Sequence, residues 1–361
     1  MRELGISVYP GHSSLEKNRE YIALAAKYGF KRIFTCLLSI EGDKEKIVKE
    51  FKDTITYANS LGFEVIADVS PGIFKDLNIS YNDLKFFSDL EAYGIRLDVG
   101  YTGNEESLMT FNPYNLKIEI NMSNDTKYID TIMDYQPDTH NLLGCHNFYP
   151  HGYSGLPRDH FRKCNKNFMK YGLKTSAFVN SQNATFGPWP VDEGLCTLEE
   201  HRYLPIEVQA KDLFMEGIDV VIISNCYASE EELKKLGELR RNMLELEVEL
   251  IDTIPDIERK IVIEELHFNR GDINANMIRS TQPRVKYKGH EFKVFNTPDI
   301  KKGDIIIESS LYGHYAGELQ IAKNDMKNTG KTNVVGKIKD VDKMFIDRIK
   351  PWQKFRLVEV K

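Results

Sequence analysis

The 361-residue chain contains no CxxC pair, and its five cysteines (Cys36, Cys145, Cys164, Cys196, Cys226) are dispersed and odd in number. That excludes a disulfide framework or a thiolate zinc site and suits a reducing compartment. No long block of lysine or arginine is present, and the formal net charge is −6, which argues against a nucleic-acid partner. No apolar run is long enough to span a bilayer, so no membrane partner is expected. The opening MRELGISVYPG lacks a basic stretch followed by an apolar one, so no signal peptide is evident and a soluble, cytoplasmic protein is expected. No GxGxxG follows the first strand-like segment, which weakens a dinucleotide-binding reading. HxH and HxxxH spacings are absent too, and neither a metal nor another cofactor is expected.

What is present is an ordinary globular composition, 41% hydrophobic and 28% charged, on a chain long enough for one large domain or two moderate ones. One junction recurs in AKYGFKRIF, NSLGFEVIADVS, EAYGIRLDV, MKYGLKTSAFV and FMEGIDVVIIS. A helix-compatible run meets a glycine (Gly29, Gly62, Gly94, Gly172, Gly217), then an apolar residue, then a strand. Glycine just past a helix can take the left-handed conformation that closes it. Ser13 followed by Glu16 resembles a capping box for the first helix. Three more strands, ELGISVY, LKIEIN and NLLGCHNFY, bring the total to eight. Eight strands alternating with helices predict an α/β fold of the closed (β/α)8 (TIM) barrel type, a doubly wound sheet being the alternative. After the helix-like ASEEELKKLGELRRNML, the segments KIVIEELHF, PRVKYKGHEFKVF, KKGDIIIESS, TNVVGKI and WQKFRLVEV are rich in β-branched residues and turn glycines. They predict a small, mainly β domain, with a barrel over 1–240 and the second domain over 241–361.

A (β/α)8 barrel carries its chemistry at the C-terminal ends of its strands. Here those ends present Asp68, Asp98 and Glu119 on the third to fifth strands. His146, Asn147 and Tyr149 follow on the sixth, Asn180 and Gln182 on the seventh, and Ser224 and Asn225 on the eighth. Neighbouring acids perturb one another, so one stays protonated while its partner ionises, as hydrolysis of a C–O bond requires. We expect Asp98 and Glu119 as the catalytic pair with Asp68 tuning them. Tyr9, His146, Asn147, Tyr149, Asn180 and Asn225 are expected to bind substrate. In the long loop GPWPVDEGLC after the seventh strand, Trp189 offers a stacking face and Glu193 a polar contact. In the second domain, HFNRGDINANMIRSTQPR sets Arg270, Arg279 and Arg284 beside Ser280 and Thr281, a composition suited to a phosphate or carboxylate.

The same residues leave other chemistries open. Asp68, Asp98, Glu119 and His146 could form an oxygen-and-imidazole metal set. A Schiff-base aldolase or isomerase would need Lys117 or Lys174, and both lie near strand starts. A sensor that binds a sugar phosphate without turnover is the third reading, although three rim acids would repel an anionic ligand.

LGISVYPG, HNFYP with Gly155-Leu156 a few residues on, GPWPVDEGLCTLEEHR and NRGD…MIRSTQPR together resemble the 6-phospho-N-acetylmuramidases, over essentially the whole chain and in order. The resemblance implies a (β/α)8 barrel joined to a small cyclophilin-like β domain. It also implies an intracellular glycosidase of peptidoglycan recycling, which hydrolyses the β-1,4 bond of N-acetylmuramic acid 6-phosphate–N-acetylglucosamine. The expected partner is then this phosphorylated disaccharide. Oligomeric state is not legible, and a homo-oligomer stays open.

Overall fold

Eight strands close into a parallel barrel in sequence order, β1 pairing with both β2 and β8. They are β1 (Glu3–Ser7), β2 (Arg32–Leu37), β3 (Glu64–Val69), β4 (Gly94–Leu97), β5 (Lys117–Asn121), β6 (Leu142–Cys145), β7 (Lys174–Val179) and β8 (Val220–Ile223). This is the computed structural model of the chain, and it describes residues 2–37, 44–184 and 186–360. The chain divides into two compact units, Met1–Leu239 and Arg240–Lys361.

Each barrel strand is buried on both faces, as parallel strands under helices must be, and side chains two apart share a face. One set, including Ile33, Val65, Ile95 and Ile118, packs with helix residues Ile22, Phe51, Ile55 and Phe87. Each such side chain contributes roughly 1.5–3 kcal/mol by leaving water. The other set fills the interior, where Tyr9, Phe34, Phe178, Val220 and Ile222 form a separate apolar cluster. One interior row carries charge toward the mouth. Cys36 lies beside Asp68, Asp68 beside Arg96, and Arg96 beside Glu119 on successive strands.

Four of the five junction glycines have the expected positive φ, between 70° and 94° at Gly29, Gly62, Gly172 and Gly217. Gly94 differs: it opens β4, and the left-handed residue is Glu91 (φ 61°) instead. A Cβ on Gly94 would lie 2.5 Å from the Lys117 carbonyl oxygen, so close approach of β5 excludes a side chain there. The first helix, Leu15–Lys27, is capped by Ser14, whose Oγ accepts from Lys17 N. Ser13, expected in that role, donates to Asn18 Oδ1 at 3.0 Å. The helix Glu230–Glu238 does open with a capping box, formed by Ser229 and Glu232.

The second unit is built on seven strands: β9 (Leu244–Leu250), β10 (His267–Phe268), β11 (Met277–Ser280), β12 (Asp304–Glu308), β13 (Leu319–Ala322), β14 (Thr332–Ile338) and β15 (Lys354–Glu359). Their order is β10-β15-β9-β14-β12-β13-β11, antiparallel except for β9 with β15. Two segments expected as strand fold otherwise. Ile261 and Val262 of KIVIEELHF are buried on the helix Asp256–Glu264, which begins directly after Pro255. PRVKYKGHEFKVF starts within a short helix, Gln282–Lys286, and its remainder forms no strand.

Candidate active site

At the C-terminal mouth of the barrel lies a cleft of about 180 Å³. Asp68, Arg96 and Asp98 line it with Asn147, and Phe34, Cys36, Phe148, Phe178 and Trp189 complete it. Arg96 organises the polar side. Its Nη1 donates to Asp68 Oδ1 at 2.6 Å and reaches Asp98 Oδ1 at 3.5 Å, and its Nη2 donates to Asn147 Oδ1. Arg96 Nε has no partner among the described residues.

The two cleft acids differ in solvation. The Asp68 side chain is 6% exposed and that of Asp98 42%. Burial pushes the Asp68 carboxyl up to about 6. Arg96 opposes that rise, while Asp98 and Glu119 add to it. A buried carboxyl poised near neutrality beside a solvated carboxylate is the division of labour that acid catalysis uses. Glu119 stands apart: it is buried in the barrel interior, 3.6 Å from Arg32 Nη1, and accepts from Ser176 Oγ at 3.5 Å. Burial raises its pKa as well, with Arg32 and Arg96 opposing. Glu119 does not line the cleft, and Asp68 takes the position beside Asp98 that the sequence reading assigned to it.

Most of the residues expected to bind substrate are turned inward. Tyr9 is buried, donates its hydroxyl to the Ser224 carbonyl and packs edge-on to Phe186. His146 is enclosed between Asn165 Oδ1 (2.8 Å from Nε2) and Ser123 Oγ (3.2 Å from Nδ1), stacked on Phe161. Burial lowers its pKa to about 3, so it is neutral and out of reach. Asn180 Oδ1 accepts from Leu195 N and Asn225 Nδ2, while Asn225 Oδ1 accepts from Ser181 N. Both amides are spent on joining the loops. Tyr149 is half-buried and its backbone N donates to the Cys196 carbonyl. Glu193 accepts from Gly152 N at 2.6 Å, tying the long loop to its neighbour. Asn147 and Trp189 do reach the cleft, the latter 48% exposed.

The GPWPVDEGLCTLEEHR segment is held by a residue not singled out from sequence. Buried Arg202 donates to the carbonyls of Gly194 (2.6 Å) and Tyr149 (3.0 Å) and pairs with Glu199 at 2.6 Å. Glu199 in turn accepts from Gly155 N and Tyr153 N. The segment is therefore a brace, with Trp189 carried on it. Arg96 was also missed, although it sits on β4 two residues before Asp98, a spacing that turns both to the same side. Lys117 Nζ donates to Asn141 Oδ1, and Lys174 Nζ pairs with Glu3 at 2.8 Å. Both sit at strand starts, the end away from the cleft. Among the described residues no group of three or more His, Cys, Asp or Glu could hold a metal ion.

In the second unit the arginine segment is engaged internally. Arg270 is bidentate to Asp272, both contacts at 2.6 Å. Arg279 Nε donates to buried Glu318 at 2.6 Å, and Arg284 lies 3.1 Å from the same carboxylate. Thr281 Oγ1 also donates to Glu318. Ser280 is buried against His267 Nδ1 at 3.0 Å and presents nothing to a ligand.

Comparison with known proteins matches residues 4–238 to the N-terminal and residues 244–358 to the C-terminal family model of 6-phospho-N-acetylmuramidase. A crystal structure of an uncharacterized B. cereus protein is 48% identical, with 99% of each chain covered and a TM-score of 0.91. A conserved Enterococcus faecalis protein with an unknown function is 25% identical, covering 99% of this chain and 96% of that one, with a TM-score of 0.69. Among curated proteins none matches. No helix of the described residues is long and apolar enough to cross a membrane.

Proposed function

Because the chain belongs to the 6-phospho-N-acetylmuramidase family and is therefore a glycosidase, we propose that it hydrolyses the β-1,4 bond of N-acetylmuramic acid 6-phosphate–N-acetylglucosamine with Asp68 and Asp98 as the reacting carboxylates. In this reading the protein works in the cytoplasm on cell-wall fragments phosphorylated during uptake, as a step of peptidoglycan recycling. One observation carries the assignment: a carboxyl pushed up to about 6 shares one guanidinium nitrogen with a solvated carboxylate in the cleft.

Asp68, protonated, gives its proton to the glycosidic oxygen as that bond breaks. Asp98 attacks the anomeric carbon from the opposite face and forms a glycosyl ester. Asp68, now ionised, takes a proton from water, whose oxygen displaces Asp98 and frees the sugar. Inverting pairs stand roughly 6.5–9.5 Å apart to admit a water molecule. Two carboxylates reached by one nitrogen, at 2.6 and 3.5 Å, are closer than that, which supports retention. Trp189 and Phe148 supply apolar walls for the sugar rings.

Proton NMR of the reaction with the phosphorylated disaccharide tests this. The expected result is release of both monosaccharides, with N-acetylmuramic acid 6-phosphate appearing first as the β anomer. Initial release of the α anomer would overturn the close-pair mechanism. No cleavage at all would overturn the substrate.

A further inference from the structure

A second cavity, of about 320 Å³, opens at the same end of the barrel among the loops that follow β1, β7 and β8. His12, Ser13 and Lys17 come from the first of these loops and the helix after it, Asn183 from the second, and Tyr227 from the third; Phe186 adds a wall. Among the described residues no carboxylate lines it. We propose that this cavity is the binding site for the phosphate monoester of the substrate, with Lys17 as its principal cation. The inference rests on the glycosidase reading above.

Electrostatics separates the two cavities. Arg96, the arginine lining the cleft, is already engaged by Asp68 and Asp98, so a dianionic phosphate there would meet Asp98 with no free cation to offset it. At the second cavity the sign reverses. Lys17 Nζ stands 4.3 Å from the centroid of the Tyr227 ring and has no acidic partner among the described residues. Lys27, Lys85 and Lys170 of the same unit are, by contrast, matched to Glu230, Asp89 and Asp130. A cation held over an aromatic face keeps its N–H groups for an anion.

Two further features fit the same ligand. Asn18 is 1% exposed and its Oδ1 accepts from the hydroxyls of Ser13 and Tyr227, both of which line the cavity. Its Nδ2 is a buried donor with no partner among the described residues, and such groups call for an acceptor. Lys17 also lies in the first turn of the 13-residue helix Leu15–Lys27, whose positive end favours an anion. The loops after the seventh and eighth strands are where barrels of this type commonly take up phosphate.

The two cavities adjoin one aromatic cluster. Phe186, in its wall, is edge-on to Tyr9 with centroids 6.0 Å apart. Tyr9 belongs to the interior cluster of Phe34 and Phe178, which line the cleft. One aromatic partition therefore divides the two, and a phosphorylated sugar spanning it would have its anion on one side and its anomeric carbon on the other.

Isothermal titration with N-acetylmuramic acid 6-phosphate and with unphosphorylated N-acetylmuramic acid tests the proposal on wild type, Lys17→Met and Arg279→Met. We expect wild type to prefer the phosphorylated sugar. Lys17→Met should shrink that preference about tenfold, the scale of one charge-assisted hydrogen bond, and Arg279→Met should retain it. An undiminished preference in Lys17→Met, its loss in Arg279→Met, or no preference in wild type would each overturn the assignment. Cleavage of the disaccharide by wild type is read separately, so hydrolysis with an unchanged Lys17→Met preference removes this site and leaves the glycosidase standing.

Discussion

On β3 to β5 the polar side chains at the barrel mouth are charged and incompletely matched; on β6 to β8 they are neutral and matched to one another. Asp68 is lifted to about 6 by burial in spite of its ion pair, and Arg96 keeps an unpartnered Nε. Across the barrel, Asn180 and Asn225 bond to each other and to the loop backbone, and His146 is closed off as a neutral ring. A strand end that has satisfied all its polar groups holds the loops in place. One that carries strained ionisation can exchange a proton with a substrate.

The sharpest way to break this contrast is to exchange the chemistry on the charged side. Asp68→Asn and Asp98→Asn are each expected to lower kcat/KM of the folded enzyme by roughly a thousandfold or more, since each removes a reacting group. Steady-state hydrolysis and a thermal melt on the same samples decide it, and near-wild-type rates in either variant would return Glu119 to consideration.

The neutral side should respond in the opposite sense. Asn180→Ala strands Leu195 N, Asn225 Nδ2 and the Arg202 carbonyl contact, and should cost about 3 kcal/mol of stability, as loss of a buried network does. Chemical denaturation reads that loss, while the folded enzyme keeps its kcat. A fall in kcat at unchanged stability would mean that these amides contact the substrate.

The smallest effect expected is a pH profile. The Asp68 proton is the one transferred, and a carboxyl raised to about 6 holds that proton below this pH and releases it above. Thus kcat/KM should fall as pH rises through about 6, approaching tenfold per unit on the alkaline side. A rate that climbs through the same interval would make Asp68 the base.

Much of this architecture is legible in the sequence because helix-closing glycines and apolar strand runs are local signals. Gly29, Gly62, Gly172 and Gly217 act through their own φ. Gly94 follows the same pattern for a different reason, contact with Lys117 on the next strand, which no local signal reveals. The acids of the mouth were equally legible as residues, but not their depth. Glu119 and Asp98 both end a strand in text, yet one reaches Arg32 in the interior and the other reaches solvent. Barrel stagger sets that depth, and stagger is a property of the closed sheet. His146 and Asn180 were misread because a hydrogen-bonding side chain at a strand end looks the same whether its partner is a sugar or a loop.

The pairing of Glu3 with Val220 also sets an order of assembly in time. At about 5–20 residues per second of synthesis, β1 waits roughly ten to forty seconds for its second neighbour. The row from Cys36 to Glu119 comes from consecutive strands and can associate during that wait. The amide seam between Asn180 and Asn225 needs β8 and forms as the ring shuts. The half of the mouth that would perform the chemistry is available early, and the half that fastens the loops is the clasp closed last.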